Sequence, residues 1–387
     1  MTNLLRFQRV IFSFLVGGLF LALFACSGPK GSLRRHDLFS LTPGTLPGEL
    51  DWFYRENFRM AGTADLQVAD GLIYLSGGDT GKVMVFNSFG DLLTYVYDPL
   101  RNPAPALSES GEGAPQISSW PFRTPGLIST FEGGVLIVDG VEKERRVEDE
   151  ENNTFYDRVV LRFDKDGNYL GHLGREGLGG SPFPYVSALD VREDGGIVVT
   201  SRLPESWMCY WFDSEGHPVA TIRIQEDQLP GTDEGEQVAV YSVRPDPVNW
   251  SMHLRLDVYN QEDEALWPES RLYTLDLESM TYGEPLVLDY VEESRKGALA
   301  VPPEYLGTVV DGSHVFLSPE DAQTYRLFVL DSQGRLVQNR RIIVNASSVV
   351  YRRFRLQNNG LLAGIFIGSD EADIAWWRLD KLVDGIQ

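Results

Sequence analysis

From about residue 50 onward, a two-part unit recurs along the 387-residue chain. A repeat of this kind admits few folds, because one unit cannot bury its own apolar faces and must stack on its neighbours. The first part is a turn ending in glycine and then an apolar run. It is seen at Asp70-Gly71-Leu-Ile-Tyr-Leu, Gly133-Gly134-Val-Leu-Ile-Val, Asp194-Gly195-Gly-Ile-Val-Val, Asp311-Gly312-Ser-His-Val-Phe-Leu and Asn359-Gly360-Leu-Leu-Ala-Gly-Ile-Phe. Met252-His-Leu-Arg-Leu-Asp-Val fills the remaining place without the glycine. The second part is a strand ending in an apolar residue, usually followed by aspartate and a glycine hairpin. Its instances are Phe86-Asn87, Phe163-Asp164, Phe212-Asp213, Leu275-Asp276, Leu330-Asp331 and Leu379-Asp380. Aspartate or asparagine opening such a turn bonds its own backbone, and glycine takes the positive φ that tight hairpins need.

The apolar marks are spaced by 77, 49, 63, 55 and 49 residues. Six units with loop-dependent spacing and no long amphipathic helix predict an all-β, six-bladed β-propeller. The wide first interval is accounted for by a Pro/Ser/Gly-rich loop at 99–124 and a charged insertion at 141–153, read as solvated. The last unit lacks a strand. Asp51-Trp-Phe-Tyr-Arg-Glu-Asn-Phe58 is expected to supply it, closing the ring and removing an exposed sheet edge.

The N-terminus reads as an address. Arg6 and Arg9 precede an uncharged run from Val10 to Ala25, which at about sixteen residues is short for a spanning helix of ~20. Leu23-Phe24-Ala25-Cys26 then resembles a bacterial lipobox, with Phe24 larger than that position usually carries. The resemblance implies cleavage between Ala25 and Cys26 and acylation of Cys26, palmitate included. Two or three acyl chains anchor stably where one does not. The expected organisation is a signal peptide at 1–25, a lipidated cysteine and flexible tether at 26–48, and a propeller at 49–387. The expected location is the cell envelope, with the chain held by lipid to a periplasmic or surface membrane face.

The Phe-Asp-x-x-Gly hairpin after a Gly-x-x-Tyr/Val strand is similar to that of NHL-repeat propellers, over roughly residues 50–382. Blade 4 departs from the pattern, lacking both glycines. Together with the lipobox, the chain looks like the uncharacterised propeller lipoproteins of spirochaetes.

The formal charge of −22 repels phosphate backbones, so nucleic acid is not expected as a partner. By the same reasoning charge should not attach the chain to anionic lipid. Catalytic signals are sparse. The two cysteines, Cys26 and Cys209, form no CxxC pair. Cys209 reads as a small buried hydrophobe. The five histidines need not be neighbours, so neither a metal site nor a triad is expected, and no cofactor is implied. Some six-bladed propellers, calcium-dependent lactonases and peptidyl-amide lyases among them, place acids at the axial channel. Here Asp65, Asp190 and Glu304, just before glycine turns, are the candidate axial acids. Trp120, in the 99–124 loop, is a candidate partner contact. Trp207, Trp211, Trp376 and Trp377 read as packing between blades. The expectation is a non-catalytic binding or scaffold module for a protein or envelope ligand rather than an enzyme. The alternative is a calcium-dependent hydrolase or lyase of lactonase-like type.

Overall fold

Most of the expected hairpins close on the acidic or amide residue that opens them. In the computed structural model, which describes residues 31–50, 64–78, 80–105, 113–150, 152–230, 236–260, 269–288, 303–344 and 349–379, Asn87 Oδ1 accepts from the N–H groups of Phe89 and Asp91 at 2.9 and 3.0 Å. Asp164 and Asp331 accept likewise from the second and fourth residues beyond them. Asp213 accepts from Glu215, Gly216 and His217. The hairpin of blade 4, which has no glycine, puts Met280 at φ 54°, a left-handed conformation that strains an ordinary side chain.

These turns join antiparallel strands into blades. β1 (His36–Leu41) comes first in the chain and closes the last blade. Blade 1 is β2 (Asp65–Ala69), β3 (Leu72–Gly77), β4 (Lys82–Asn87) and β5 (Leu92–Tyr97), with β6 (Gln116–Ser119) added in parallel. Blade 2 begins with β7 (Ile128–Phe131) and β8 (Gly134–Gly140). A separate hairpin of β9 (Val147–Asp149) and β10 (Thr154–Tyr156) follows. The blade then continues through β11 (Arg158–Asp164), β12 (Tyr169–Gly174) and β13 (Gly177–Leu178). The charged insertion is therefore partly a hairpin rather than wholly loop. Blade 3 is β14 (Val186–Val191), β15 (Ile197–Arg202), β16 (Ser206–Phe212) and β17 (Pro218–Gln225). Blade 4 is β18 (Glu236–Pro245), β19 (Ser251–Asn260), β20 (Glu269–Asp276), β21 (Thr281–Tyr282) and β22 (Leu286–Val287). Blade 5 is β23 (Glu304–Thr308), β24 (His314–Pro319), β25 (Thr324–Leu330) and β26 (Leu336–Ile343). Blade 6 is β27 (Tyr351–Leu356), β28 (Leu361–Ile367) and β29 (Ala372–Arg378), with β1 outermost.

The first strand of every blade touches the first strand of the next, and β27 returns to β2, so the ring is closed. Six apolar clusters occupy the six seams. Leu66, Ile73 and Phe86 meet Ile365 and Ile374 between blades 1 and 6. Trp207 and Trp211 fill the seam of blades 3 and 4, and Trp377 that of blades 5 and 6. Among the described residues the cluster between blades 4 and 5 is the smallest. Cys209 is fully buried, and burial pushes its thiol up to about 12. Among the described residues no helix is long and apolar enough to cross a membrane.

Closure uses other residues than expected. β1 pairs with β29 from His36↔Trp376 to Leu41↔Ala372, so the ring closes on residues assigned to the tether. Asp51–Phe58 lies outside the described residues, as do the leader and Cys26. The chain is already fixed at Gly31, whose carbonyl accepts from the Arg341 N–H of β26. Arg35 holds the lead-in to β1, at 2.6 Å from Asp37 and over the Phe366 ring. The folded body thus begins well before residue 49, and little of 27–48 is left as tether.

Candidate functional site: an axial cavity

The three axial acids do lie on innermost strands, but they do not converge. Asp65 and Glu304 open β2 and β23, whereas Asp190 is near the end of β14, about 13 Å further along at strand rise. Asp65 is 2% exposed. Its carboxylate accepts from the Ile128 N–H at 3.0 Å and pairs with Arg353 at 3.1 Å and Arg355 at 2.9 Å. Arg355 also donates to the Ile128 carbonyl at 2.8 Å. One carboxylate therefore ties blades 6, 1 and 2 together. Asp190 is held by Arg244 of blade 4 at 2.8 and 3.1 Å. Glu304 is exposed, beside a separate cavity shared with Arg352 and Arg353. Among the described residues no group of three or more His, Cys, Asp or Glu side chains could hold a metal ion. A calcium ion needs six to eight converging oxygens; here two of the three acids spend theirs on arginine.

The face built by the turns between first and second strands carries the better candidate. A cavity of about 230 Å³ opens there, walled by the ends of β2, β14 and β27. Gln67 donates across it to Gln357 Oε1 at 2.8 Å, and Asn358 donates to the Val191 carbonyl at 3.0 Å. Two donors on β27 and its turn are left over. Arg355 Nε and Gln357 Nε2 are buried and have no hydrogen-bond partner, a costly state for a group that water no longer reaches. A second cavity of about 180 Å³ shares Val68, Ala69, Asp70, Gln357 and Asn359 with the first, and its apolar side is Leu38, Ile73, Leu361 and Trp376. Leu38 comes from β1, so closure of the ring completes this wall.

The charges on the rim narrow what fits. Arg192 spends its guanidinium on the Asp246, Val248 and Asn249 carbonyls and on Asp194. Asp70 and Glu193 remain exposed on the lining. The opening is therefore unfavourable for an anion, while its inner wall offers donors. An uncharged oxygen acceptor carried beside a small apolar group matches both halves.

Two side-chain arrangements were not legible in the sequence. His253 and His314, which the repeat did not require to be neighbours, meet between blades 4 and 5 with ring centroids 4.9 Å apart. They stand near the starts of second strands in adjacent blades, and equivalent positions in consecutive repeats share a seam; that regularity was the available signal. His253 Nε2 is 3.0 Å from Asp246 Oδ2. His314 Nδ1 is 3.0 Å from Thr308 Oγ1, which is 2.6 Å from the Tyr305 hydroxyl. All five groups are buried, so the cluster is a polar plug in the seam. Trp120, in turn, is half-buried and stacks on Tyr169 of blade 2 at 4.0 Å, edge-on to Phe163. Its ring is used within the molecule. Arg355, Gln357 and Trp376 were not singled out as binding residues from sequence.

No family model matches the chain, and no curated protein matches it in sequence. Similar solved structures include the CNH domain of AfRom2 (9% identity over 89% of this chain and 99% of that one, TM-score 0.41). The β-propeller domain of Nup133 from Vanderwaltozyma polyspora is 10% identical over 91% of this chain and 99% of that one, with a TM-score of 0.41. The β-propeller domain of the Trilobed protease from Pyrococcus furiosus, described as having an open velcro topology, is 9% identical over 81% of this chain and 83% of that one, with a TM-score of 0.37.

Proposed function

We propose that this protein is an envelope lipoprotein, acylated on Cys26, whose propeller is a non-catalytic binding module. On this reading it is an NHL-like propeller of the kind found in spirochaetal lipoproteins, displayed at a periplasmic or surface membrane face. The ligand is a protein or envelope component that presents an amide carbonyl next to a small apolar group.

The observation that supports binding is the pair of buried, unpartnered donors, Arg355 Nε and Gln357 Nε2, on one wall of a cavity. A small turn of these side chains toward the cavity lets a ligand acceptor satisfy them, and Leu38, Ile73, Leu361 and Trp376 take the apolar group beside it. Rigid blades with variable turns suit such recognition.

The test is affinity capture from crosslinked envelopes, with the native chain compared to a Gln357→Leu, Trp376→Ala double variant. The expected result is a partner enriched by the native chain and lost with the variant. No enriched partner, together with turnover of a lactone or peptide substrate by the purified protein, overturns the reading. Acylation is tested separately by the mass of the N-terminal peptide and its loss in Cys26→Ser.

A further inference from the structure

The net charge argues against contact with anionic lipid, but charge is not evenly spread, and the rim nearest the proposed anchor gathers four arginines, Arg34, Arg335, Arg340 and Arg341. Gly31 and Leu33 hydrogen-bond to both backbone groups of Arg341 on β26, the outermost strand of blade 5. Only four residues separate Cys26 from Gly31, five Cα steps that reach about 17 Å even when fully extended. An acylated Cys26 therefore holds the rim of blade 5 close to the bilayer, with no room for the disc to tumble freely.

That rim has the composition of an interfacial surface. Leu336, Val337 and Ile343 of β26 are 44%, 44% and 43% exposed. Arg335, Arg340 and Arg341 are interleaved with them, and Arg34 is exposed on the lead-in beside the strand. Arg335 and Arg341 pair with Asp331 and Glu320, whereas Arg34 and Arg340 have no ion pair among the described residues. Arginine keeps its head in the headgroup layer while its stem and neighbouring aliphatic side chains lie deeper. Each such cation strengthens attraction to an anionic surface by about fivefold.

We propose that the outer strand of blade 5, Leu336–Ile343, together with Arg34, is a membrane-contacting edge that rests on anionic lipid headgroups. The disc then stands on its rim and the axial cavity stays open to solvent. This rests on the acylation of Cys26 proposed above.

The test uses the full-length acylated chain in vesicles containing phosphatidylglycerol, with a nitroxide on Val337→Cys or, on the opposite blade, on Leu170→Cys. Cys209 is buried and Cys26 is consumed by lipid, so labelling is specific. The expected result is a label at 337 several-fold more accessible to lipid-phase oxygen, relative to an aqueous nickel complex, than the label at 170. Arg34→Glu with Arg340→Glu should erase most of that difference, as should phosphatidylcholine alone. Equal, aqueous behaviour of both labels on an acylated, vesicle-bound chain overturns this inference and leaves acylation standing. An N-terminal peptide without acyl chains overturns both. Shielding of the 337 label already present without vesicles assigns the strand to self-pairing between copies, and also overturns it.

Discussion

The seam between blades 4 and 5 should weaken as pH falls, and His314 should account for a definable part of the loss. This side chain is 4% exposed. Burial, followed by the neighbouring His253, lowers its pKa from 6.5 to about 3, with Asp246 and Asp331 opposing. Because the folded value lies below the unfolded one, the unfolded chain binds the proton more readily. The contribution is fully present above about pH 6.5 and is lost progressively as pH falls toward about 3. Between about pH 7.5 and about pH 5 that loss is about 2 kcal/mol for this one group. Asp246, itself held low, titrates in a more acidic window and does not confuse the interval. The perturbation is His314→Gln, which keeps a polar group near Thr308 and does not titrate. Urea denaturation at both pH values gives the slope for each protein. The native chain should lose about 2 kcal/mol more than the variant on acidification, whatever the variant's starting stability. Equal losses would show that His314 is not held neutral in this seam, and the reasoning would fail.

Two further outcomes are expected from the same structure. Asp65→Ala leaves Arg355 buried beside an empty carboxylate site and should cost about 3–5 kcal/mol by urea midpoint, whereas Glu304→Ala, at an exposed strand start, should stay within about 0.5 kcal/mol. Gly167→Ala puts a methyl at φ 83° and 2.9 Å from both Ser118 Oγ and Val96 Cγ2 of blade 1, and should lower stability by about 1–3 kcal/mol in thermal or urea unfolding.

What could be read from sequence was local. Asp164, Asp213 and Asp331 sit two to four residues from the backbone groups they bind, so the hairpins, and from them the blades, were legible in order. The inner-strand positions of Asp65, Asp190 and Glu304 followed from the same turns. Their partners did not. Arg353 and Arg355 reach Asp65 from the far end of the chain, and Arg244 reaches Asp190 from the next blade, so the ion pairs that occupy two axial acids are visible only once the ring exists. The closing strand was missed for a related reason. His-Asp-Leu-Phe-Ser-Leu at 36–41 is short, polar at its start and set among Gly and Pro, and its register breaks between Asp37 and Phe39. Its strand character comes from pairing with β29, over three hundred residues away. The aromatic Asp51–Phe58 run carried the stronger intrinsic preference, but propensity does not decide which segment finds an open sheet edge.

The closed ring and the apolar wall beside the axial cavity depend on β1 closing blade 6. A disulfide placed across that pairing tests it directly. Ser40 and Asp373 are register partners, with Ser40 Oγ donating to Asp373 Oδ1 at 2.7 Å, and facing residues of an antiparallel pair are within disulfide reach. In a Cys26→Ser background, Ser40→Cys with Asp373→Cys should oxidise nearly completely under mild conditions and raise the unfolding temperature. Thiols that stay reduced in the folded protein, or a bridge that forms only after unfolding, would contradict closure by this strand.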